Sequence, residues 1–222
     1  MEDPSIPQEE FSRALDELET INRLLGGHST SLSGVAVLLP PGVRRFSLLD
    51  IGTGGGDFPR RLVAWARDRG IVAEVTGIDL LPAAIEHARR RSGGFPEIGF
   101  AREDLLALQG EEEFDIVHAA LLLHHLDDAG AREALRRMNA LARWGIVVND
   151  LHRHALAWYP IRGLTRLFSA SRIIRNDAPL SVERAFLRGE LEALAGAAGL
   201  TRPRIRGRWA FRWQMVVHKE DR

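Results

Sequence analysis

A short apolar run that ends in a carboxylate and then breaks into glycines is the feature that most constrains the fold of this chain. Residues 48–57 have the sequence Leu-Leu-Asp-Ile-Gly-Thr-Gly-Gly-Gly-Asp. An apolar run of this length is typical of a buried parallel strand, and residues 58–69 then follow a helical pattern. Glycine permits the tight turn between them and lets the backbone pass close to a ligand. The stretch therefore predicts a strand, a turn and a helix that hold a nucleotide-like cofactor.

The spacing of these glycines opposes a dinucleotide cofactor. A dinucleotide fingerprint has the form Gly-x-Gly-x-x-Gly. Counted from Gly52, the third glycine would fall on Asp57, and counted from Gly54 it would fall on Pro59. Asp50 also places a negative charge at the strand end, where it would repel a pyrophosphate. We therefore expect a ligand with an ammonium group and no phosphates, which weakens the alternative of an oxidoreductase on the same type of sheet.

Acidic residues also follow the next two apolar runs. Asp79 ends the second run, and a carboxylate at that position accepts hydrogen bonds from ribose hydroxyls. Asp104 and Leu105 follow the third run, where an acid and an apolar neighbour suit the amino group and the ring of adenine. A fourth run, residues 114–120, opens into residues 121–126. Four consecutive strand ends are thus predicted to offer groups for an amino acid, a ribose and a base.

Together these pieces resemble the class I S-adenosylmethionine-dependent methyltransferases over residues 46–150. They are similar to the small-molecule branch of that family, which includes ubiquinone and menaquinone methyltransferases and natural-product O-methyltransferases. The resemblance implies S-adenosyl-L-methionine as the cofactor and S-adenosyl-L-homocysteine as its product. We expect ten residues to bind the cofactor: Asp50, Gly52, Thr53, Gly54, Gly56, Asp79, Leu80, Asp104, Leu105 and Ala119.

The fold expected is α/β, a doubly wound and mostly parallel sheet of seven strands with an antiparallel last strand. Strands alternating with helices require parallel pairing and right-handed crossovers. One domain of 222 residues is expected, without a linker or a repeat. Its parts are an N-terminal helical segment (1–45) with a helix predicted over 8–25, and a cofactor-binding core (46–150) whose fifth strand is predicted near 145–149. A helical substrate lid (151–188) and a C-terminal helix with two strands (189–222) follow.

Composition limits the class of protein further. The chain has no cysteine, and its 30 basic residues balance its 30 acidic residues. A nucleic-acid partner is therefore not expected, since such domains are usually basic. No apolar signal region or membrane-spanning stretch is evident. We expect a soluble cytoplasmic protein, a monomer or a homodimer, without stable membrane insertion.

The acceptor is expected to lie under residues 151–188, because loops beyond the carboxyl ends of the strands carry ligands in such sheets. This segment is aromatic and rich in arginine. An apolar, flat substrate is expected to contact His124, Trp158, Tyr159, Arg162 and Phe168. Two other roles for this segment remain open. Its aromatic side chains could serve only to attach a helical lid to the core, or the segment could form an amphipathic helix on a membrane. Pro160 and Gly163 interrupt the helix that the second alternative needs.

Histidines supply the candidates for a general base. A neutral imidazole within reach of a substrate hydroxyl would raise its reactive ionised fraction. His152 and His154 follow Asp150, whose carboxylate is expected to orient one imidazole, and His28 is the reserve candidate. No metal is expected, because residues 119–121 are Ala-Ala-Leu where metal-dependent relatives place a carboxylate.

The function predicted from the sequence is methyl transfer to a small, apolar, aromatic or polyketide-like acceptor, with O-methylation of a hydroxyl favoured. The alternatives are C- or N-methylation of a similar molecule. A further alternative is a catalytically silent cofactor-binding subunit, which the presence of every cofactor landmark opposes only weakly.

Overall fold

A seven-stranded mixed sheet organises the molecule. The structure is a computed structural model, and it describes residues 7–154, 181 and 183–219. In chain order the strands are β1 (Arg45–Ile51), β2 (Val72–Asp79), β3 (Ile98–Arg102), β4 (Phe114–Ala120), β5 (Ala142–Leu151), β6 (Arg204–Arg208) and β7 (Arg212–His218). Their order in the sheet is β3-β2-β1-β4-β5-β7-β6. The first five strands are parallel, and β7 pairs antiparallel with both β5 and β6. The predicted fold class is confirmed.

Helices cover both faces of this sheet. They are α1 (Gln8–Leu24), α2 (Gly27–Leu38), α3 (Asp57–Arg67), α4 (Pro82–Arg91), α5 (Asp128–Leu141) and α6 (Arg188–Ala197), with a 3₁₀ turn at Leu123–His125. Successive strand residues face opposite sides. Leu48 therefore packs in the cluster that contains α2 and α3 side chains, whereas Leu49 packs with those of α5 and α6.

Two elements differ from expectation. The sequence predicted one helix over 8–25 in the N-terminal segment, but α2 forms a second, largely buried helix. Its glycines, serines and β-branched residues are weak helix formers, and burial against β5 and β7 stabilises it instead. Strand β5 begins at Ala142 rather than near 145, directly after α5. The parallel topology brings the ends of β1, β2, β4 and β5 to one edge of the sheet.

The packing around β2 leaves no room for a side chain at Gly77. A Cβ at this position would lie 2.7 Å from Phe100 Cδ1 and 2.7 Å from Thr53 Oγ1. We expect Gly77→Ala to lower the free energy of unfolding by about 1–3 kcal/mol, the usual cost of overpacking. Urea denaturation measures this, with Gly99→Ala on β3 as the control, because nothing lies within 4 Å of a Cβ there. Equal stability of the two variants would contradict this packing.

Candidate active site

The turn after β1 has the conformation that its glycines permit. Gly52, Gly54 and Gly56 have φ of 65°, 52° and 70°, in the left-handed region that other residues rarely adopt. A Cβ on Gly56 would approach Phe100 Cζ to 2.8 Å. Helix α3 begins at the next residue, Asp57, so the turn feeds directly into a helix N-terminus.

Asp50 holds this turn from beneath. Its carboxylate is buried, accepting a hydrogen bond from Thr53 Oγ1 at 2.7 Å and lying 2.6 Å from Nδ1 of His118. His118 is fully buried on β4, and its other ring nitrogen lies 2.8 Å from Ser31 Oγ of α2. Both oxygens of Asp50 are thus engaged inside the protein, where they hold the turn in its shape.

Asp79 links the turn to β2. Its two oxygens accept hydrogen bonds from the N–H groups of Gly54 at 3.0 Å and Leu81 at 2.9 Å. Burial raises the pKa of the Asp79 carboxyl, and the charge of Asp50 adds to this, although the backbone donors act to lower it. The side chain stands at the strand end where a ribose was expected, and its neighbour Leu80 is 56% exposed.

The remaining residues that were expected to contact adenosine lie near the ends of β3 and β4. Asp104 is exposed and accepts a hydrogen bond from the Leu106 N–H at 2.9 Å, while Leu105 is buried in the core. Ala119 is buried on β4, paired with Ile51. The acidic groups at these strand ends and the left-handed glycines fit a nucleoside joined to an amino acid.

The raised pKa of Asp79 predicts pH-dependent cofactor affinity. Because ribose hydroxyls donate to the ionised form, affinity for S-adenosylhomocysteine should fall with decreasing pH, beginning above the range in which an ordinary aspartate is protonated. Asp79→Ala should weaken binding at pH 7 by about 1–3 kcal/mol and abolish this pH dependence. Calorimetric titration between pH 5 and 8 checks both, and Glu103→Ala is the control, because Glu103 is an exposed carboxylate to which no binding role is assigned. If Asp79→Ala bound S-adenosylhomocysteine as tightly as the wild type does, Asp79 would have no role in cofactor binding.

Asp150, near the end of β5, contacts a histidine, but not one of the two that the sequence suggested. Asp150 is buried; its Oδ1 lies 2.6 Å from Nδ1 of His124, and its Oδ2 accepts the Leu123 N–H at 2.9 Å. The expectation that Asp150 orients His152 or His154 is therefore wrong. Ala120, the last residue of β4, pairs with Asn149 of β5. The 3₁₀ turn that follows β4 therefore lies beside Asp150, because of the register between these two strands.

His152 and His154 lie instead among aromatic rings. Their ring centroids are 5.4 Å apart, so the two side chains share a side of the extended segment. His152 lies 4.4 Å from the Trp213 ring, and His154 is stacked on Phe211 at 5.1 Å. Burial lowers the pKa of His152, and the neighbouring His154 contributes. His152 is therefore predominantly neutral at pH 7.

His28 has a carboxylate partner of its own. In the first turn of α2, its Nε2 lies 2.7 Å from Oδ2 of Asp57, the first residue of α3. Although burial acts to raise the pKa of Asp57, the hydrogen bonds from His28 and Asn22 and the charge of Arg60 outweigh it, and the pKa is lowered. Two His–Asp pairs, His28 with Asp57 and His124 with Asp150, thus stand at the carboxyl edge of the sheet.

A buried arginine, which the sequence analysis missed, stands between these pairs. Arg212 is 3% exposed at the start of β7, and its guanidinium donates to the side-chain oxygens of Asn22 at 2.9 Å and Asn149 at 3.4 Å. Burial lowers the pKa of Arg212 to about 10, and the charges of Asp150 and Asp57 oppose this shift. In sequence it is one arginine among many near the C-terminus, and only β5–β7 pairing reveals its burial.

Most of the predicted acceptor contacts fall outside the described residues. Trp158, Tyr159, Arg162 and Phe168 all lie in 155–180, as does most of the predicted lid. Within residues 7–154, 181 and 183–219, no group of three His, Cys, Asp or Glu side chains is arranged to hold a metal ion. Over the same ranges, none of the helices has both the length and the apolar character needed to cross a membrane.

Comparison with known proteins agrees with this geometry. Residues 48–145 match a family model described as a methyltransferase domain. Among curated proteins, the chain is 31% identical over 153 residues to a demethylmenaquinone methyltransferase of Roseiflexus sp. (strain RS-1), covering 66% of this chain and 61% of that one. It is 25% identical over 145 residues to nodulation protein S of Sinorhizobium fredii, covering 64% and 62%. The chain thus spans about three fifths of the length of these two relatives.

Solved structures share the fold. A SAM-dependent methyltransferase from Aquifex aeolicus superposes with a TM-score of 0.65 at 15% identity, covering 93% of this chain and 97% of that one. Human N-acetylserotonin methyltransferase in complex with SAM gives a TM-score of 0.68 at 17% identity, covering 97% and 57%. At these identities the likeness concerns the fold alone.

Proposed function

We propose that this chain is a class I S-adenosylmethionine-dependent methyltransferase, as the matched methyltransferase domain supports, and that it methylates a hydroxyl group of a small, apolar, aromatic or polyketide-like acceptor. The observation that carries the proposal is the His124–Asp150 pair. It stands at the same sheet edge as the cofactor residues, where a base for a hydroxyl is needed.

Cofactor binding is assigned to the first three strand ends. The turn held by Asp50 and Thr53 would receive the amino-acid part, Asp79 the ribose, and Asp104 with Leu105 the adenine. The cofactor supplies an electrophilic methyl group when bound, so the protein has to align a nucleophile and remove its proton. Both tasks fall to residues around the ends of β4 and β5.

His124 is the residue we assign to proton removal. A carboxylate accepts hydrogen bonds and does not donate them, so Nδ1 of His124 carries the proton shared with Asp150. Nε2 then holds the lone pair that takes a hydroxyl proton, and Asp150 stabilises the imidazolium that forms. His28 contacts Asp57 through Nε2, at 2.7 Å, so Nδ1 would be its basic atom. It is the second candidate.

His152 and His154 are assigned to the acceptor pocket. The support for this assignment is that the His152 imidazole lies against the Trp213 ring and the His154 imidazole stacks on Phe211. A neutral His152 suits such a wall, since a charged imidazole would oppose an apolar ligand. These aromatic contacts support an aromatic acceptor, and the name of one relative, a demethylmenaquinone methyltransferase, agrees with it.

Product analysis tests the proposal. The purified protein is incubated with S-adenosylmethionine and a panel of naphthols, resorcinols and hydroxyquinones, together with amine and thiol analogues of the same ring systems. We expect S-adenosylhomocysteine and an O-methylated product in equal amounts, formed only with the hydroxyl compounds. Methylation of ring carbon or of the amines would favour the alternatives of C- or N-methylation.

A further inference from the structure

An exposed tryptophan stands at the tip of the β6–β7 hairpin. Trp209 is 77% exposed, the largest exposed fraction among the large apolar side chains that the structure describes. Burying an indole ring stabilises a folded protein by several kcal/mol, so a chain ordinarily gains by covering one. An indole left in solvent is thus a candidate for contact with a ligand.

The backbone of this hairpin tip is strained. Ala210 and Phe211, which follow Trp209, have φ of 57° and 55°. Consecutive left-handed residues in a hairpin turn are normally glycine, asparagine or aspartate, because a larger side chain costs about 1–2 kcal/mol there. Residues held in such conformations cluster at ligand-binding sites. Phe211, two residues after Trp209, therefore keeps an aromatic side chain where a turn alone would favour glycine.

The hairpin tip lies between the two groups of histidines. A Cβ on Gly26 would lie 3.3 Å from Trp209 Cδ1, so the indole stands over the α1–α2 junction, two residues before His28. On the other side Phe211 stacks on His154 and its carbonyl accepts the His152 N–H at 2.8 Å. The hairpin tip therefore lies at the carboxyl edge of the sheet, where the proposed base also lies.

We propose that Trp209 is a substrate-contacting residue whose indole face stacks on the aromatic ring of the acceptor and selects flat acceptors over saturated ones of equal size. The inference rests on the proposed function, because it takes the acceptor to be a small aromatic molecule. Aromatic rings stack offset or edge to face, with a gain beyond their buried area. The Trp209 indole, at the tip of the hairpin and largely uncovered by the protein, offers such a face to a ligand.

The test compares two probes of similar size and polarity, 2-naphthol and decahydro-2-naphthol, binding to the protein saturated with S-adenosylhomocysteine. For the wild type we expect 2-naphthol to bind more tightly. Trp209→Ala should weaken 2-naphthol binding roughly ten-fold, with little change for the saturated probe, and Trp209→Phe should retain most of the affinity. Since the side chain is exposed, the melting temperature and the affinity for S-adenosylhomocysteine should not change.

Trp65→Ala is the matched control, because Trp65 lies near the C-terminal end of α3, away from the β6–β7 hairpin. The Arg69 guanidinium lies over the Trp65 ring, 4.4 Å from the ring centroid. It should leave both probes unaffected. Unchanged 2-naphthol binding in Trp209→Ala would overturn the role of Trp209 alone. Failure of the wild type to bind either probe, with S-adenosylhomocysteine bound, would overturn the aromatic acceptor and this inference with it.

Discussion

Replacing His124 by alanine is expected to lower kcat for methyl transfer by about 10²–10⁴-fold, the usual contribution of a general base. The affinity for S-adenosylhomocysteine should stay near the wild-type value, because the groups assigned to the nucleoside belong to other strand ends. Asp150→Asn should also lower kcat, since an amide cannot hold Nδ1 of His124 as the carboxylate does at 2.6 Å. Single-turnover methyl transfer at several pH values measures both variants.

His152→Ala is the matched comparison, because His152 lies two residues after Asp150 in the sequence and packs on Trp213. We expect it to weaken acceptor binding while kcat changes by less than about ten-fold. A kcat unchanged in His124→Ala, together with a large loss in His152→Ala or in His28→Ala, would transfer the role of base to that histidine.

Arg212→Ala is expected to lower the free energy of unfolding by roughly 3–5 kcal/mol. The substitution removes the donors to the side-chain oxygens of Asn22 and Asn149, both of which it would leave inside the protein. It also removes the positive charge that stands between Asp57 and Asp150. Chemical denaturation followed by circular dichroism measures the loss.

Arg206→Ala provides the reference for this prediction. Arg206 lies in the middle of β6, on the same hairpin as Arg212, and it is exposed. Exposed substitutions of this kind change stability by about 0.5 kcal/mol or less. Similar losses in the two variants would mean that burial of Arg212 contributes nothing specific to the fold.

The sequence was sufficient to predict the sheet and to place the residues expected at the cofactor near the carboxyl ends of its strands. The run before Gly52 and the acidic residues Asp50, Asp79 and Asp104 are local signals, because each sits at the end of its own strand. Alternation of strands with helices then allows few topologies. The antiparallel position of the last strand was also predicted, and β7 occupies it.

Contacts between distant strands were beyond sequence reasoning. The order of residues suggested that Asp150 serves His152 or His154, whereas the β4–β5 register gives it to His124. Burial of Arg212 depends likewise on pairing between β5 and β7. Helix α2 was missed because burial, rather than intrinsic propensity, stabilises it.

The most direct test of the central claim follows a labelled methyl group. The protein is incubated with S-adenosylmethionine carrying a deuterated methyl group and with 2-naphthol, and the product is analysed by mass spectrometry and NMR. Our account predicts that the deuterated methyl appears on the naphthol oxygen, with one S-adenosylhomocysteine formed per product, and that His124→Ala suppresses both. Bound S-adenosylmethionine without any methyl transfer across the hydroxyl panel, or a label found on ring carbon, would contradict it.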